Sequence, residues 1–185
     1  DYVGMKPKML VREGDAVKLG QVLFEDKKTP GVQFTSPGCG RVAAVNRGAK
    51  RKFESIVIEL AGEEEETFPS FGPDELDRID RAEVQAVLIQ SGMWTVLRTR
   101  PYSKVPAPDT TPHAVFVTAM DTNPLAVNPA AIIKAQADDF HHGLKVLSRL
   151  TEGKVYVCRR PKTDMPGEDI ARVSMQAFDG PHPAG

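Results

Sequence analysis

Glycine and proline punctuate this chain differently on either side of residue 62, and that difference limits the possible folds more than any other feature. Up to residue 62 the apolar runs are short: Met9-Leu10-Val11, Gln21-Val22-Leu23-Phe24, Val32-Gln33-Phe34, Val42-Ala43-Ala44-Val45 and Ile56-Val57-Ile58. Gly14, Gly20, Gly31, Gly40 and Gly48 fall between them. Runs this short, broken by residues that turn the chain, predict a compact all-β module over residues 1–62. Glu63-Glu64-Glu65-Glu66 follows, with Pro69, Gly72 and Pro73. Like charges in sequence repel and extend, so residues 63–73 read as a solvated linker and not as a metal site.

From Asp74 to residue 185 the pattern is α/β. Asp80 and Glu83 have the spacing of a capping box, and Val84, Val87 and Leu88 continue with helical spacing up to Ser91-Gly92. Ala114-Val115-Phe116-Val117-Thr118-Ala119 shows no polar alternation, which predicts a strand buried on both faces of a sheet. After a loop from Met120 to Val127, Asn128 is placed as an N-cap and Pro129 as the first helical residue. Ile133, Ala137, Phe140, Leu144, Leu147 and Leu150 then recur every three or four positions, and Gly153 reads as the helix stop. Lys154–Cys158 is a second strand, so a strand, one helix of about twenty residues and a strand make a parallel βαβ unit. Val173–Phe178 is a candidate third strand.

Charge and cysteine content exclude several functions. The formal net charge is −1, too balanced for a chain that grips a phosphate backbone as a whole, and no nucleic-acid partner is expected. No run of about 18 apolar residues is present, and Asp1 to Val11 lacks the regions of a signal peptide. The two cysteines, Cys39 and Cys158, have no ligand spacing; they suit a reducing cytoplasm and cannot by themselves supply the roughly four thiolates of an iron–sulfur cluster. His113, His141, His142 and His182 share no metal spacing. The adjacent pair points about 100° apart on a helix and reads as a solvated face.

Three places remain for chemistry. Glu13-Gly14-Asp15, Gly20-Gln21-Val22-Leu23, Glu25-Asp26-Lys27 and Ser36-Pro37-Gly38-Cys39-Gly40-Arg41-Val42 resemble the biotinyl and lipoyl carrier fold, a barrel-sandwich hybrid with a modified lysine at a hairpin tip. Lys27 stands near that place, but Thr29-Pro30-Gly31 lengthens the hairpin, and we read Lys27 as an unmodified surface lysine. In the second half Arg98, Arg100 and Lys104, beside Trp94 and Tyr102, are suited to an anionic or aromatic ligand, or else to a solvated loop or a contact between subunits. Ser91–Lys104 holds one glycine, too few for a phosphate-cradling loop, so nucleotide binding is not expected. Ligands of open α/β sheets bind beyond the C-terminal ends of strands, where Asp121-Thr122-Asn123-Pro124 lies. That loop is the first choice for a site, with an Asx-type turn into the helix as the plainer reading.

Longer strings carry a family resemblance. Tyr2-Val3-Gly4-Met5-Lys6-Pro7, Gly20–Lys28, Asn46–Arg51, Arg98–Pro106, Thr118–Ala126 and Gly180–Gly185 together resemble the A subunits of sodium-translocating NADH:quinone oxidoreductases, nearly end to end. The resemblance implies a fragment lacking both termini: a biotinyl/lipoyl-like barrel-sandwich hybrid followed by a truncated, Rossmann-like α/β domain. That second domain is expected to be similar to the flavin-binding component of respiratory complex I and to the C component of the Rnf complex. The resemblance also implies a β-grasp domain and a helical tail beyond residue 185, and apolar surface left open in the fragment, which should then self-associate weakly.

It further implies a peripheral component on the cytoplasmic face of the bacterial inner membrane, in a six-subunit sodium pump, seated chiefly on the membrane-embedded B subunit. No redox cofactor is expected on this chain; NADH, FAD, FMN, riboflavin and iron–sulfur centres belong to the other subunits. Ubiquinone is the substrate associated with members of this family, and Arg98, Arg100, Tyr102, Lys104, Asp121 and Asn123 are the residues expected to contact it. The alternatives are a biotinyl or lipoyl carrier module and an NADH- or FMN-binding oxidoreductase domain.

Overall fold

Nine strands, among the residues described, form three separate three-stranded sheets, two antiparallel and one parallel. The structure is a computed structural model and describes residues 2–184. Contacts divide the chain into two compact units, one running up to Ser70 and including Gln85–Thr110, the other made of Phe71–Val84 and the residues from Thr111 onward.

In the first unit β1 (Pro7–Met9), β3 (Val22–Asp26) and β4 (Gln33–Thr35) form one sheet in the order β1-β3-β4. The other sheet is β2 (Ala16–Val17), β5 (Gly40–Arg47) and β6 (Phe53–Leu60), in the order β2-β5-β6. Val17, Leu23, Phe24, Val32, Phe34 and Val42 are buried apolar residues of the two sheets and their turns, and the Phe24 and Phe34 rings stack at 4.6 Å. Gly40 is obligatory for packing: a Cβ there would lie 2.0 Å from the Glu59 carbonyl oxygen, on the paired strand β6. The side chains of Glu63–Glu66 are exposed, yet their backbone is tied down. The Leu19 amide donates to the Glu64 carbonyl at 3.0 Å, and the Glu66 amide to the Leu19 carbonyl at 2.8 Å.

Helix α1 (Arg81–Gln90) begins with the reciprocal cap that its sequence spells out. The Glu83 amide donates to Asp80 Oδ1 at 2.8 Å and the Asp80 amide to Glu83 Oε2 at 3.1 Å, so two otherwise orphaned donors are satisfied. Gly92, at φ 78°, turns the chain after it. A short 3-10 turn at Met93–Val96 then buries Trp94, whose indole N–H donates to the Pro106 carbonyl at 2.9 Å.

The second unit is a parallel sheet ordered β7-β8-β9: β7 (Val115–Thr118), β8 (Val155–Arg159) and β9 (Val173–Ala177). Between β7 and β8 the chain forms α2 (Pro129–Ala135) and α3 (Ala137–Arg149), two helices where periodicity suggested one. The break is at Gln136, whose backbone leaves the helical region (φ −128°, ψ 46°) while its amide reaches both Ile132 and Ile133 carbonyls. Apolar spacing of three and four survives such a break, so the pattern alone does not register it. Asn128 caps α2 through its side-chain oxygen, which accepts from the Ala130 amide at 3.1 Å, with Pro129 next.

Two further sequence expectations are corrected in this unit. Gly153 does not stop the helix, which ends at Arg149; it allows close approach, since a Cβ there would lie 1.9 Å from the His113 carbonyl oxygen. Strand β7 is buried on one face only. It occupies the end of the sheet order, its Val115 and Val117 turned to the core around Leu144, Val155 and Val157. Phe116, on the other face, is 64% exposed and stacks on Tyr156 at 5.2 Å. Residues Phe71–Val84 pack on α3: Lys145 pairs with Asp77 at 2.9 Å, and Arg149 Nε donates to the Leu76 carbonyl at 3.2 Å.

Candidate functional site

In a parallel sheet the backbone at the strands' C-terminal ends turns away into loops, which leaves a recess between neighbouring connections. The second unit has such a recess beyond β7. It is a cavity of 290 Å³ lined by Thr118, Met120, Asp121, Thr122, Asn123, Pro129 and the segment His182–Ala184. The volume is near the lower end, about 300 Å³, of ordinary ligand pockets.

Asp121 organises its rim. Its Oδ1 accepts from both the backbone amide and the side-chain amide of Asn123, each at 2.8 Å, the Asx turn that the sequence suggested. These bonds, the backbone one first and the side-chain one second, hold the Asp121 carboxyl below its ordinary value. Arg160, at the end of β8, donates to the Asp121 backbone carbonyl at 3.0 Å. Thr122 Oγ1 lies 3.0 Å from His182 Nδ1 and donates to the Ala184 carbonyl at 3.3 Å. A hydroxyl has one proton, so with Ala184 taking it the imidazole Nδ1–H donates to Thr122. His182 Nε2 then has no partner among the described residues.

The sign of the Asp121 shift gives a pH expectation. Its pKa is lowered on folding, so the turn is favoured above the ordinary carboxylate value of 3.8 and is lost as pH falls through the lower, folded value. The Asn123 backbone amide resonance should titrate with a midpoint below 3.8 in an NMR pH series. A midpoint at or above that value contradicts the bond.

The four other residues proposed from the sequence lie in the first unit. Arg98 Nη1 donates to the Leu97 carbonyl at 2.8 Å and also bonds the Thr95 carbonyl, and its guanidinium sits 4.8 Å over the Tyr2 ring. Lys104 stands 5.9 Å from the centroid of Tyr102, which is 73% exposed. Arg100 is exposed. Bonds from the Thr99 amide to the Lys104 carbonyl (2.8 Å) and from the Ser103 amide to the Thr99 carbonyl (2.9 Å) make a compact loop of this segment. Trp94 does not join it as a ligand-facing ring, because at 2% exposure it belongs to the core. Arg98, Arg100, Tyr102 and Lys104 do not line the recess beyond β7.

Lys27 is exposed on the β3–β4 turn, where its amide donates to the Lys6 carbonyl at 2.8 Å. Both cysteines are free, and burial pushes the Cys158 thiol up. His141 is not on a solvated face as expected: it is half-buried and held by Asp169 at 3.0 Å, a bond that lowers the Asp169 carboxyl. Among the described residues no group of three or more His, Cys, Asp or Glu side chains is placed to hold a metal ion, and no helix is long and apolar enough to cross a membrane. The site residues that sequence reasoning missed are Thr122's partner His182 and the anchoring Arg160. They lie far along the chain from Asp121 with no shared motif, so nothing local could have joined them.

Comparison with known proteins returns two adjacent domain matches. Residues 1–61 match the NqrA N-terminal barrel-sandwich hybrid domain, and residues 79–185 match the NqrA second alpha/beta domain. Among curated proteins, the A subunit of the Na(+)-translocating NADH-quinone reductase of Alcanivorax borkumensis is 58% identical across the whole of this chain, which covers 42% of that protein. The proteins of the same name from Neisseria meningitidis and Vibrio anguillarum are 56% and 58% identical across the whole chain, which covers 41% of each. The chain thus spans about two fifths of the length of the curated relatives it matches.

Proposed function

Because the chain belongs to the NqrA family, the A subunits of Na(+)-translocating NADH-quinone reductases, we propose that it forms part of a peripheral component of a sodium-pumping NADH:ubiquinone reductase. It works there on the cytoplasmic face of the membrane, against the membrane-embedded subunits, chiefly the B subunit, and carries no redox cofactor of its own. In this reading residues 1–62 are an unmodified barrel-sandwich module, 63–73 an acidic, proline- and glycine-bearing connection, and 74–185 a Rossmann-like domain akin to the flavin-binding component of complex I. The identity to proteins bearing that name, 58% and 56% across the whole of this chain, carries the proposal, and the parallel β7-β8-β9 sheet supports its α/β part.

The recess beyond β7 is where this chain contacts the quinone. A quinone head group is planar and apolar with two carbonyl acceptors, so it needs a small, partly apolar pocket and one or two donors. Met120, Pro129, Pro183 and Ala184 supply the apolar lining, and Asn123, with one Nδ2–H committed to Asp121, has a second to donate. Arg98, Arg100, Tyr102 and Lys104 form a second, exposed contact in the other unit, where a cation beside an aromatic ring suits a conjugated ligand. In the assembled complex, Asn123→Ala should raise the KM for ubiquinone about 3- to 10-fold, as for loss of one hydrogen bond, with the KM for NADH unchanged. An unchanged quinone KM would remove the recess from the proposal.

A further inference from the structure

Past its last paired residue a parallel strand loses the ladder bonds that fix it, so whatever holds the next few residues decides where their side chains point. Strand β7 pairs with β8 as far as Thr118 opposite Cys158, and the Ala119 amide then donates to the Cys158 carbonyl at 2.9 Å. Two residues further on, the tie between the two segments is a side chain: Arg160 Nη2 donates to the Asp121 carbonyl at 3.0 Å. Asp121 in turn carries the donor of the recess. Its Oδ1 accepts from the backbone amide and from one Nδ2–H of Asn123, which leaves the second Nδ2–H for a ligand.

The base from which Arg160 reaches is itself braced. The Arg159 carbonyl accepts from the Phe178 amide at 2.9 Å, just past β9. The Arg159 side chain bonds the Thr163 carbonyl and pairs with Glu168 at 3.3 Å, and the Thr163 amide donates to the Arg160 carbonyl at 3.4 Å. Adjacent arginines therefore have different tasks. Arg159 closes the turn after β8 on itself, while Arg160 reaches across to the loop after β7. The guanidinium of Arg160 meets the Asp121 peptide carbonyl and not the carboxylate, whose Oδ1 Asn123 occupies, and Arg160 is not part of the recess lining.

We propose that Arg160 is a positioning residue: by holding the Asp121 carbonyl it sets the place and direction of the Asn123 amide that meets a quinone carbonyl in the recess. This role rests on the quinone reading of that recess. The bonds within the Asp121–Asn123 turn are local and survive loss of Arg160, so the turn moves as a body and carries its donor away from the ligand. A guanidinium gives a charge-assisted bond in a fixed plane. A lysine ammonium can make one bond to the same carbonyl with looser direction, whereas alanine leaves the carbonyl to water.

The test uses the assembled complex containing the full-length chain. Arg160→Ala should raise the KM for ubiquinone about 3- to 10-fold, with kcat and the KM for NADH within about twofold of the parent. Arg160→Lys should recover most of that loss. Because Arg160 acts through Asn123, the double variant Arg160→Ala with Asn123→Ala should have a quinone KM no higher than Asn123→Ala alone. An unchanged KM in Arg160→Ala, a lysine no better than alanine, or effects that multiply in the double variant overturn the inference. Hydrogen exchange gives a readout free of quinone: in Arg160→Ala the amides of residues 122–126 should exchange about 3- to 10-fold faster while those of β7 and β8 keep their rates. Unchanged exchange in the turn overturns the inference even if the KM rises. A quinone KM unchanged in Asn123→Ala is the failure of the quinone reading itself; faster exchange in Arg160→Ala would then make Arg160 a structural tie only, which also overturns the role proposed.

Discussion

Trp94→Ala lowers stability by about 3–5 kcal/mol, the cost of deleting a large buried aromatic side chain. The indole is 2% exposed and its N–H is bonded to the Pro106 carbonyl at 2.9 Å, so truncation removes apolar contact and leaves a carbonyl without its donor. Urea unfolding followed by circular dichroism should show the midpoint fall with its slope unchanged. A loss under about 1 kcal/mol would mean that the ring is not packed as the structure has it. The result also bears on function, because a core Trp94 cannot serve as the aromatic wall of a ligand site near Arg98 and Lys104.

Leu144→Ala should cost about 2–5 kcal/mol, the range for a leucine deleted from a packed core. Leu144 is 1% exposed and is surrounded by Ala119, Val155, Val157 and Met165, which couple α3 to β7 and β8. Its Cδ1 also lies where Gly167, in the β8–β9 connection, has no Cβ to interfere. Loosening this core loosens the strand ends that carry the Asp121 turn and Arg160. Hydrogen exchange of β7 and β8 amides should accelerate together with the loss in stability, whereas acceleration confined to α3 would contradict a shared core.

Local signals were legible wherever one residue type has one conformational use. Asp80 with Glu83, and Asn128 with Pro129, announced helix starts that the structure shows bonded as expected. The short apolar runs announced a β-rich first module, and its match to a barrel-sandwich hybrid domain agrees. What stayed hidden depends on distant residues. Gln136 breaks a helix whose periodicity runs on through it, and Gly153 is a glycine because of His113, forty residues earlier in the chain. Phe116 sits in an apolar run that looks buried on both sides, yet only one face of its strand meets α3 and the core.

The candidate site divides in the same way. Asp121 and Asn123 could be placed from the rule that loops after parallel strands bind ligands, and their Asx turn from their spacing. His182 and Arg160 could not, because only folding brings them to that turn.

The most direct test of the proposed role is photo-crosslinking of a ubiquinone analogue to the membrane complex containing the full-length chain, with the labelled peptides mapped. Labels within Met120–Val127 and around His182, competed away by ubiquinone, with or without labels in Arg98–Lys104, are the predicted result. Labelling confined to other subunits would contradict a quinone-contacting role and leave this chain as a structural cap on the complex.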